Sequence, residues 1–348
     1  LIRSDHPSAI GDRVTVLGTL RDIVPTFKNP HHVSWRWVKK LEGTFCEIRG
    51  EIVSARPGKK LIDGWRRYLA GKVDASGTRH APVVKALTIG DTASLDDRTK
   101  TLFLETGTSH ILSISGSHFA VVAGFFFFIA RLAFRASSRM RQKGTDRAWA
   151  ALLTIPFTIL FMLVSGSSLP TIRATIMIII YMLALFFERK GHSVNALFLS
   201  ALIILVIFPH SLFSPSFQLT FVSVLFIILT SRAVHSLLAK TGRAVRWLLS
   251  LTAVGLAATI GTLPVVLYHF HGFNPLGFLY NLAAVPLMCL VSTPLALAGL
   301  VAPFGAYLLR LSGEVIEITI ALLDTLNRGY IYPVIRPNLP ETLIYFAT

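Results

Sequence analysis

Residues 110–133 read HILSISGSHFAVVAGFFFFIARLA. From Ile111 to Ala130 this stretch contains no Asp, Glu, Lys or Arg, and about 20 such residues are what a helix needs to cross the hydrocarbon core of a bilayer. Working outward, further apolar segments run approximately over 148–165, 170–188, 193–209, 215–231, 247–270 and 274–302. Seven spans are therefore expected. The whole chain carries the same stamp, with 53% hydrophobic residues, 15% charged residues and a mean hydropathy of +0.61, outside the range of an ordinary water-soluble domain. The expected fold class is mainly α: a polytopic helical membrane domain over residues 81–348, with about seven to eight spans, preceded by a small β-rich extracytoplasmic region over residues 1–80.

The first 109 residues differ from the rest. They hold 18 of the 34 Lys and Arg and 12 of the 18 Asp and Glu, so they form a water-exposed region. Val14, Val16 and Leu20, and then Cys46, Ile48 and Ile52, alternate with polar residues as half-buried strands do. Leu61, Trp65, Tyr68 and Leu69 recur at helical spacing beside Lys59, Lys60, Arg66, Arg67 and Lys72. That pattern fits a basic amphipathic helix on a membrane surface, and equally a solvated helix packed on the β-rich region. Ser94, followed three residues later by Asp97, predicts a capping box opening a short helix that Gly107 ends. The chain opens on Leu1 and stops at Thr348 just as Ile344-Tyr345-Phe346 begins another apolar run, the pattern of a fragment.

The loops divide by charge. Arg131, Arg135, Arg139, Arg141, Lys143 and Arg147 flank the first, Arg189 and Lys190 the third, and Arg232, Lys240, Arg243 and Arg246 the fifth, whereas 166–170, 209–214 and 270–275 contain no Lys or Arg. Short cytoplasmic loops collect positive charge, so the first, third and fifth loops are expected in the cytoplasm and residues 1–109 on the outer face. The net charge of +6 on those residues, 18 basic against 12 acidic, does not oppose this, because long translocated regions largely escape the rule. After Pro303, Glu314, Glu317 and Asp324 interrupt an apolar run, which predicts an interfacial amphipathic helix rather than an eighth span.

Polar residues within spans are costly in hydrocarbon and so are informative. Ser113, Ser115, Ser117 and His118 surround Gly116 in the first segment and read either as the wall of an aqueous path or as small-residue helix packing. If the segment is helical from His110, His118 sits about 12 Å below it. Arg173 follows Pro170 by three residues, and is either a pore-facing charge or a side chain snorkelling to the interface. Gln218 and Asn281 are candidates for the same path or for interhelical hydrogen bonds. Pro156, Pro264, Pro286 and Pro294 would free carbonyls and permit kinked or broken helices around a cavity.

Other chemistries find little footing. His269 with His271 and His31 with His32 are close pairs without a carboxylate at ligand spacing. Cys46 and Cys289 form no Cys-x-x-Cys. Gly58-Lys59-Lys60 fails as a phosphate loop, because Val53 stands where the first Gly belongs and Lys60 where Ser or Thr is required. No metal, cofactor or ATPase site is expected.

The membrane motifs taken together resemble the competence domain of ComEC-type DNA-uptake proteins. Residues 107–118, Gly-Thr-Ser-His-Ile-Leu-Ser-Ile-Ser-Gly-Ser-His, look like that family's G-T-x-H-L-L-A-I-S-G-L-H signature, preceded by Ala86 to Asp91. Residues 165–174, Ser-Gly-Ser-Ser-Leu-Pro-Thr-Ile-Arg-Ala, are similar to its S-G-x-x-x-P-T-x-R-A segment. Pro215 to Phe221 and Asn281 to Leu287 match its P-G-F-Q-L-S-F and N-L-L-A-V-P-L runs, and Asn29-Pro30 with Trp35-Arg36-Trp37 loosely resemble the end of its outer OB-like domain. The chain departs from the pattern at Ser117, Phe119 and Ser214, where Leu, Ile and an acidic residue are usual. The resemblance implies a multi-pass protein of the cytoplasmic (inner) membrane that passes single-stranded DNA inward during natural transformation, with Ser115, His118, Arg173, Gln218 and Asn281 as candidates for the DNA path. Membrane lipid is an expected partner, and an inside-negative potential opposing each phosphate, in a chain without a phosphate loop, calls for a cytoplasmic ATPase or helicase that pulls the strand; the sequence leaves open whether the chain forms a homo-oligomer. Many relatives also carry a metallo-β-lactamase-like nuclease domain, but its His-x-His-x-Asp-His string is absent here, so this chain is expected not to be an enzyme. A small-solute permease and a non-transporting scaffold of an uptake complex are the alternative readings.

Overall fold

The computed structural model describes residues 13–21, 47–56, 61–187, 193–238, 241–270, 272–327, 341–342 and 345–346. Asn29-Pro30, His31-His32, Trp35 to Trp37, Cys46, Gly58 to Lys60 and His271 lie outside them. The segment before Leu61 contributes one antiparallel ribbon, β1 (Arg13–Arg21) paired with β2 (Glu47–Arg56), with an irregularity between Thr15 and Val16. The expected β-rich domain is not supported beyond this. On the described ribbon Leu17 lies open.

Three short helices follow: α1 (Leu61–Ala75), α2 (Ala81–Ile89) and α3 (Asp97–Glu105). Capping marks their limits. Asp96, not the expected Ser94, is the N-cap of α3, its carboxylate accepting the Thr99 N–H at 2.9 Å. That bond holds the Asp96 carboxyl below the ordinary carboxylate range. Asp96→Ala should cost about 1 kcal/mol of α3 stability, read as faster amide exchange over residues 97–105. Because the folded-state value is depressed, the capping contribution is present at neutral pH and is lost as acidification protonates Asp96. Gly107, at φ +70°, turns the chain after α3 as expected.

The membrane bundle comprises α4 (Gly116–Ala136), a short α5 (Ser138–Lys143), α6 (Asp146–Val164), α7 (Leu169–Phe186), α8 (Ser193–Ile207), α9 (Pro215–Leu237) and α10 (Arg243–Phe270). Beyond it come α11 (Gly277–Val285), a π-helical turn (Pro286–Ser292), α12 (Thr293–Val301) and α13 (Gly305–Leu326). Among the described residues, six helices are long and apolar enough to cross a membrane: α4, α6, α7, α9, residues Val245–Phe270 of α10, and the run Gly277–Val301. The fourth expected segment, α8, is shorter at 15 residues. The chain is accordingly a multi-pass membrane protein.

Within the bundle, α4, α6 and α7 are mutual neighbours. Phe119 meets Phe161 at a ring separation of 4.8 Å, and Phe126 stacks on Phe157 at 4.3 Å. At the basic end, Arg131 on α4 pairs with Asp146 on α6 at 3.1 Å. The helices α9 and α10 form a hairpin in which Phe226 lies on Gly261. Hydroxyls within the spans are largely satisfied by the carbonyl one turn back, as at Thr154, Thr158, Thr175, Ser200 and Thr220, so most are no evidence of an aqueous path.

The last third holds the expected seventh apolar segment as a helix with a π turn in its middle and a partner helix folded back on it. Pro286 opens the π turn and Pro294 lies in the first turn of α12, so these prolines mark a π-helical irregularity in a helix that continues through it, and Thr293 Oγ1 satisfies the Met288 carbonyl at 2.8 Å. The α13 helix doubles back along α11 and α12: Ser292 Oγ meets Ser312 Oγ at 2.9 Å, and the Tyr280 hydroxyl donates to the Leu326 carbonyl at 3.1 Å. Their turn is so close that a Cβ on Gly305 would stand 1.9 Å from the Gly299 carbonyl oxygen. One hydrophobic core joins this hairpin to α1–α3, with Val84, Leu87 and Phe103 packed among Met288, Leu309 and Ile316. In α1, Leu69 packs against that core while Leu61, Trp65 and Tyr68 stay exposed.

Candidate functional site

The N-termini of α4, α7 and α9 gather at the end of the bundle whose loops lack Lys and Arg, and each is shaped by its sequence. Ser115 caps α4, and His118 in the first turn accepts the Ser115 backbone N–H at 3.3 Å through Nδ1, in the position a Glu or Gln takes in a capping box. Pro170 sits in the first turn of α7 and Pro215 opens α9, both where a missing N–H costs nothing. The turn before α7 uses left-handed Gly166 and Ser167.

From this end a cavity of ≈ 880 Å³ runs between α4 and α7 on one side and α8 and α9 on the other. Its walls extend from Leu169 to Tyr181 and from Pro215 to Ile228. At 1.5 Å per residue that is roughly 18–20 Å of depth, about two thirds of a hydrocarbon core. Hydroxyls, from Ser113 and Ser115 on one side to Ser216 and Thr220 on the other and Tyr181 farther along, punctuate a mainly apolar lining that also includes His110 and Phe270. Among the described residues, Arg173 is the one in the lining with a fixed charge. It is buried, and its Nη2 donates across the cavity wall to Ser216 Oγ on α9.

Of the five path residues expected from the sequence, Ser115 and Arg173 line this cavity. The other three lie elsewhere. His118 is fully buried on the opposite side of the α4 N-terminus, with Nε2 3.8 Å from Cys289 Sγ on the π turn. It is also less deep than a helix starting at His110 would place it, because residues 109–111 form a 3₁₀ turn and α4 begins only at Gly116. Gln218 ties two elements together, donating to the Leu212 carbonyl at 2.9 Å and meeting His269 Nε2 at 2.8 Å. Asn281 lies on α11, its Oδ1 buried with no hydrogen-bond partner among the described residues. Sequence reasoning passed over Ser216, although it stands two residues before Gln218 in the quoted run. A hydroxyl at a helix start reads as an N-terminal residue, and only the arrangement of α7 beside α9 shows it facing Arg173.

Among the described residues, no group of three or more His, Cys, Asp or Glu is placed to hold a metal ion. A smaller hollow of ≈ 340 Å³ between α3 and the end of α13 has its charges engaged in the Arg98–Asp324 and Lys100–Asp97 pairs and the Asn327–Glu105 hydrogen bond.

Comparison with known proteins places these features. The family profile described as Competence protein matches residues 87–348. The chain is 31% identical over 218 residues to ComE operon protein 3 of Bacillus subtilis (strain 168), covering 62% of this chain and 26% of that protein. It is 28% identical over 253 residues to Competence protein ComA of Neisseria gonorrhoeae, covering 71% and 34%, and 28% identical over 218 residues to Recombination protein 2 of Haemophilus influenzae, covering 61% and 27%. The chain thus spans about a quarter to a third of the length of these relatives. No solved structure matches it.

Proposed function

The chain belongs to the competence protein family, and on that premise we propose that it forms the conduit by which one strand of DNA crosses the cytoplasmic membrane in natural transformation. The observation that carries this reading is the cavity between α4, α7, α8 and α9, with a single buried arginine at the end where the loops lack positive charge. A phosphate leaving water meets a low dielectric, and a fixed guanidinium supplies charge-assisted hydrogen bonds there in place of lost hydration. Among the described residues the rest of the lining carries no fixed charge to retain a phosphate, which suits passage. The loop charges orient the arginine end outward.

Entry of each phosphate is opposed by about 2.3 kcal/mol per charge per 100 mV of inside-negative potential. The chain has no phosphate loop, so the work falls to a cytoplasmic ATPase or helicase pulling the strand. In this reading nothing in the chain cuts the strand.

The test is to plug the path. In a background lacking Cys46 and Cys289, Ser216→Cys should lose uptake of labelled DNA when treated with a bulky thiol reagent, while Phe125→Cys, on an exposed face of α4, should not. Undiminished uptake by fully modified Ser216→Cys would remove the cavity from the DNA path.

A further inference from the structure

Although the run Gly277–Val301 is long and apolar enough to cross a bilayer, its neighbours keep it at one level. Near its start, Gly277 lies against Gly107, just before the bundle begins. Twelve residues on, Cys289 meets Ser117 Oγ at 3.5 Å and His118 Nε2 at 3.8 Å, in the first turn of α4. Eight residues further, Leu297 packs against the cluster of Ile114, Phe119, Val122, Phe161 and Ala174. All five lie near the same ends of α4, α6 and α7. From 277 to 297 the chain advances roughly 30 Å along its own axis, yet its contacts stay with Gly107, the first two turns of α4 and the matching ends of α6 and α7. The helix therefore lies across the ends of the bundle.

The returning helix α13 has three faces. One, with Leu309, Ile316 and Leu323, is in the core shared with α2. The second is polar along its whole length and is bound by α1–α3 and their connections: Arg310 Nε donates to the Ser76 carbonyl at 2.6 Å, Glu317 meets His80 at 3.2 Å and Arg79 at 3.5 Å, and Asp324 meets Arg98 at 3.3 Å. Arg79 and Arg98 are 75% and 84% exposed. Charges so open, level with both halves of α13, exclude the hydrocarbon core as its surroundings. The third face presents Phe304, Tyr307, Leu311 and Ile318 outward, the first two 68% exposed, with exposed Glu314 on its border with the polar face. Water on one flank and an uncovered aromatic and aliphatic stripe on the other is the signature of a helix lying in the membrane interface.

We propose that the hairpin of α11, the π turn, α12 and α13 does not cross the bilayer but lies in the leaflet at the charge-poor end of the bundle, with the Phe304, Tyr307, Leu311 and Ile318 stripe seated against lipid. The occupant of the stripe is the bilayer itself, because the opposite flank of the same helix carries open charges and the helix packs on an apolar hairpin against the end of a membrane-spanning bundle. The seventh apolar segment thereby contributes a platform rather than a span, and α1–α3 ride on it above the cavity end.

The test uses the full chain in lipid vesicles, in a background lacking Cys46 and Cys289. Nitroxides attached to Tyr307→Cys and Ile318→Cys should both collide with dissolved oxygen and report one shallow depth. A depth difference near the roughly 16 Å that eleven helical residues span would overturn the proposal, as would access to a water-soluble relaxer alone at both sites. Independently, Ala302→Cys should react with an impermeant thiol reagent added on the side that labels Ser168→Cys. Reaction only from the side that labels Gln142→Cys would show that the segment crosses.

Discussion

Arg173→Gln is expected to lower DNA uptake by on the order of 10- to 100-fold while the protein remains inserted at normal abundance, since a charged hydrogen-bonding group contributes about 1.5–3 kcal/mol and 1.4 kcal/mol is a factor of ten. The glutamine retains a donor for Ser216 Oγ but removes the one fixed charge in the cavity lining. Arg173→Lys should fall between parent and glutamine variant, because lysine preserves the charge but not the planar fork that can hold Ser216 and a phosphate oxygen together. The measurement is uptake of labelled DNA normalised to membrane-inserted protein. Parental uptake by Arg173→Gln would make the arginine a structural tie between α7 and α9 and move the path elsewhere.

The second large effect concerns Gly90, the residue that ends α2. Its φ of +72° belongs to the left-handed region, and a Cβ there would stand 2.3 Å from the Ser165 carbonyl oxygen at the end of α6. Both obstacles are backbone, so no side-chain rotation relieves them. Gly90→Ala should cost about 1–2 kcal/mol for the conformation and a further 1–3 kcal/mol for the overlap, pushing α1–α3 off the bundle. The check is a fall of several degrees in the thermal midpoint of the detergent-purified protein. Gly71→Ala is the contrast: nothing lies within 4 Å of its Cβ position in α1, and alanine in a helix interior should stabilise by about 0.5–1 kcal/mol. Equal behaviour of the two variants would contradict the docking of α2 on the α6–α7 turn.

His118 shows where periodicity stops being informative. Its place in an apolar run reads as a polar group part-way down a span, yet Ser115 before it and the 3₁₀ turn at residues 109–111 put it in the first turn of α4. It serves there as a cap facing the π turn, away from the cavity. Arg173 and Ser115, by contrast, do line one cavity, but the chain order separates them by 58 positions and nothing in either segment indicates that α4 and α7 would be neighbours. Ser216 and Tyr181 entered the lining for the same reason: which helix stands beside which is a property of packing, to which spans of nearly uniform leucine, isoleucine and phenylalanine contribute little pattern.

By itself the sequence determined that this is a multi-pass helical membrane protein, roughly where each apolar helix lies, and, through four ordered motifs, its family. Those conclusions rest on transfer of apolar surface from water and on local backbone chemistry, which act over a few residues to about twenty and so are written in consecutive letters. Tertiary structure alone decided which polar residues share a cavity, that α1–α3 share a core with α11–α13, and the level at which residues 277–301 run. An apolar helix satisfies its own backbone whether it crosses the bilayer or lies across the ends of its neighbours. The choice is made by contacts such as Cys289 with His118 and Glu317 with Arg79, between residues 171 and 238 positions apart.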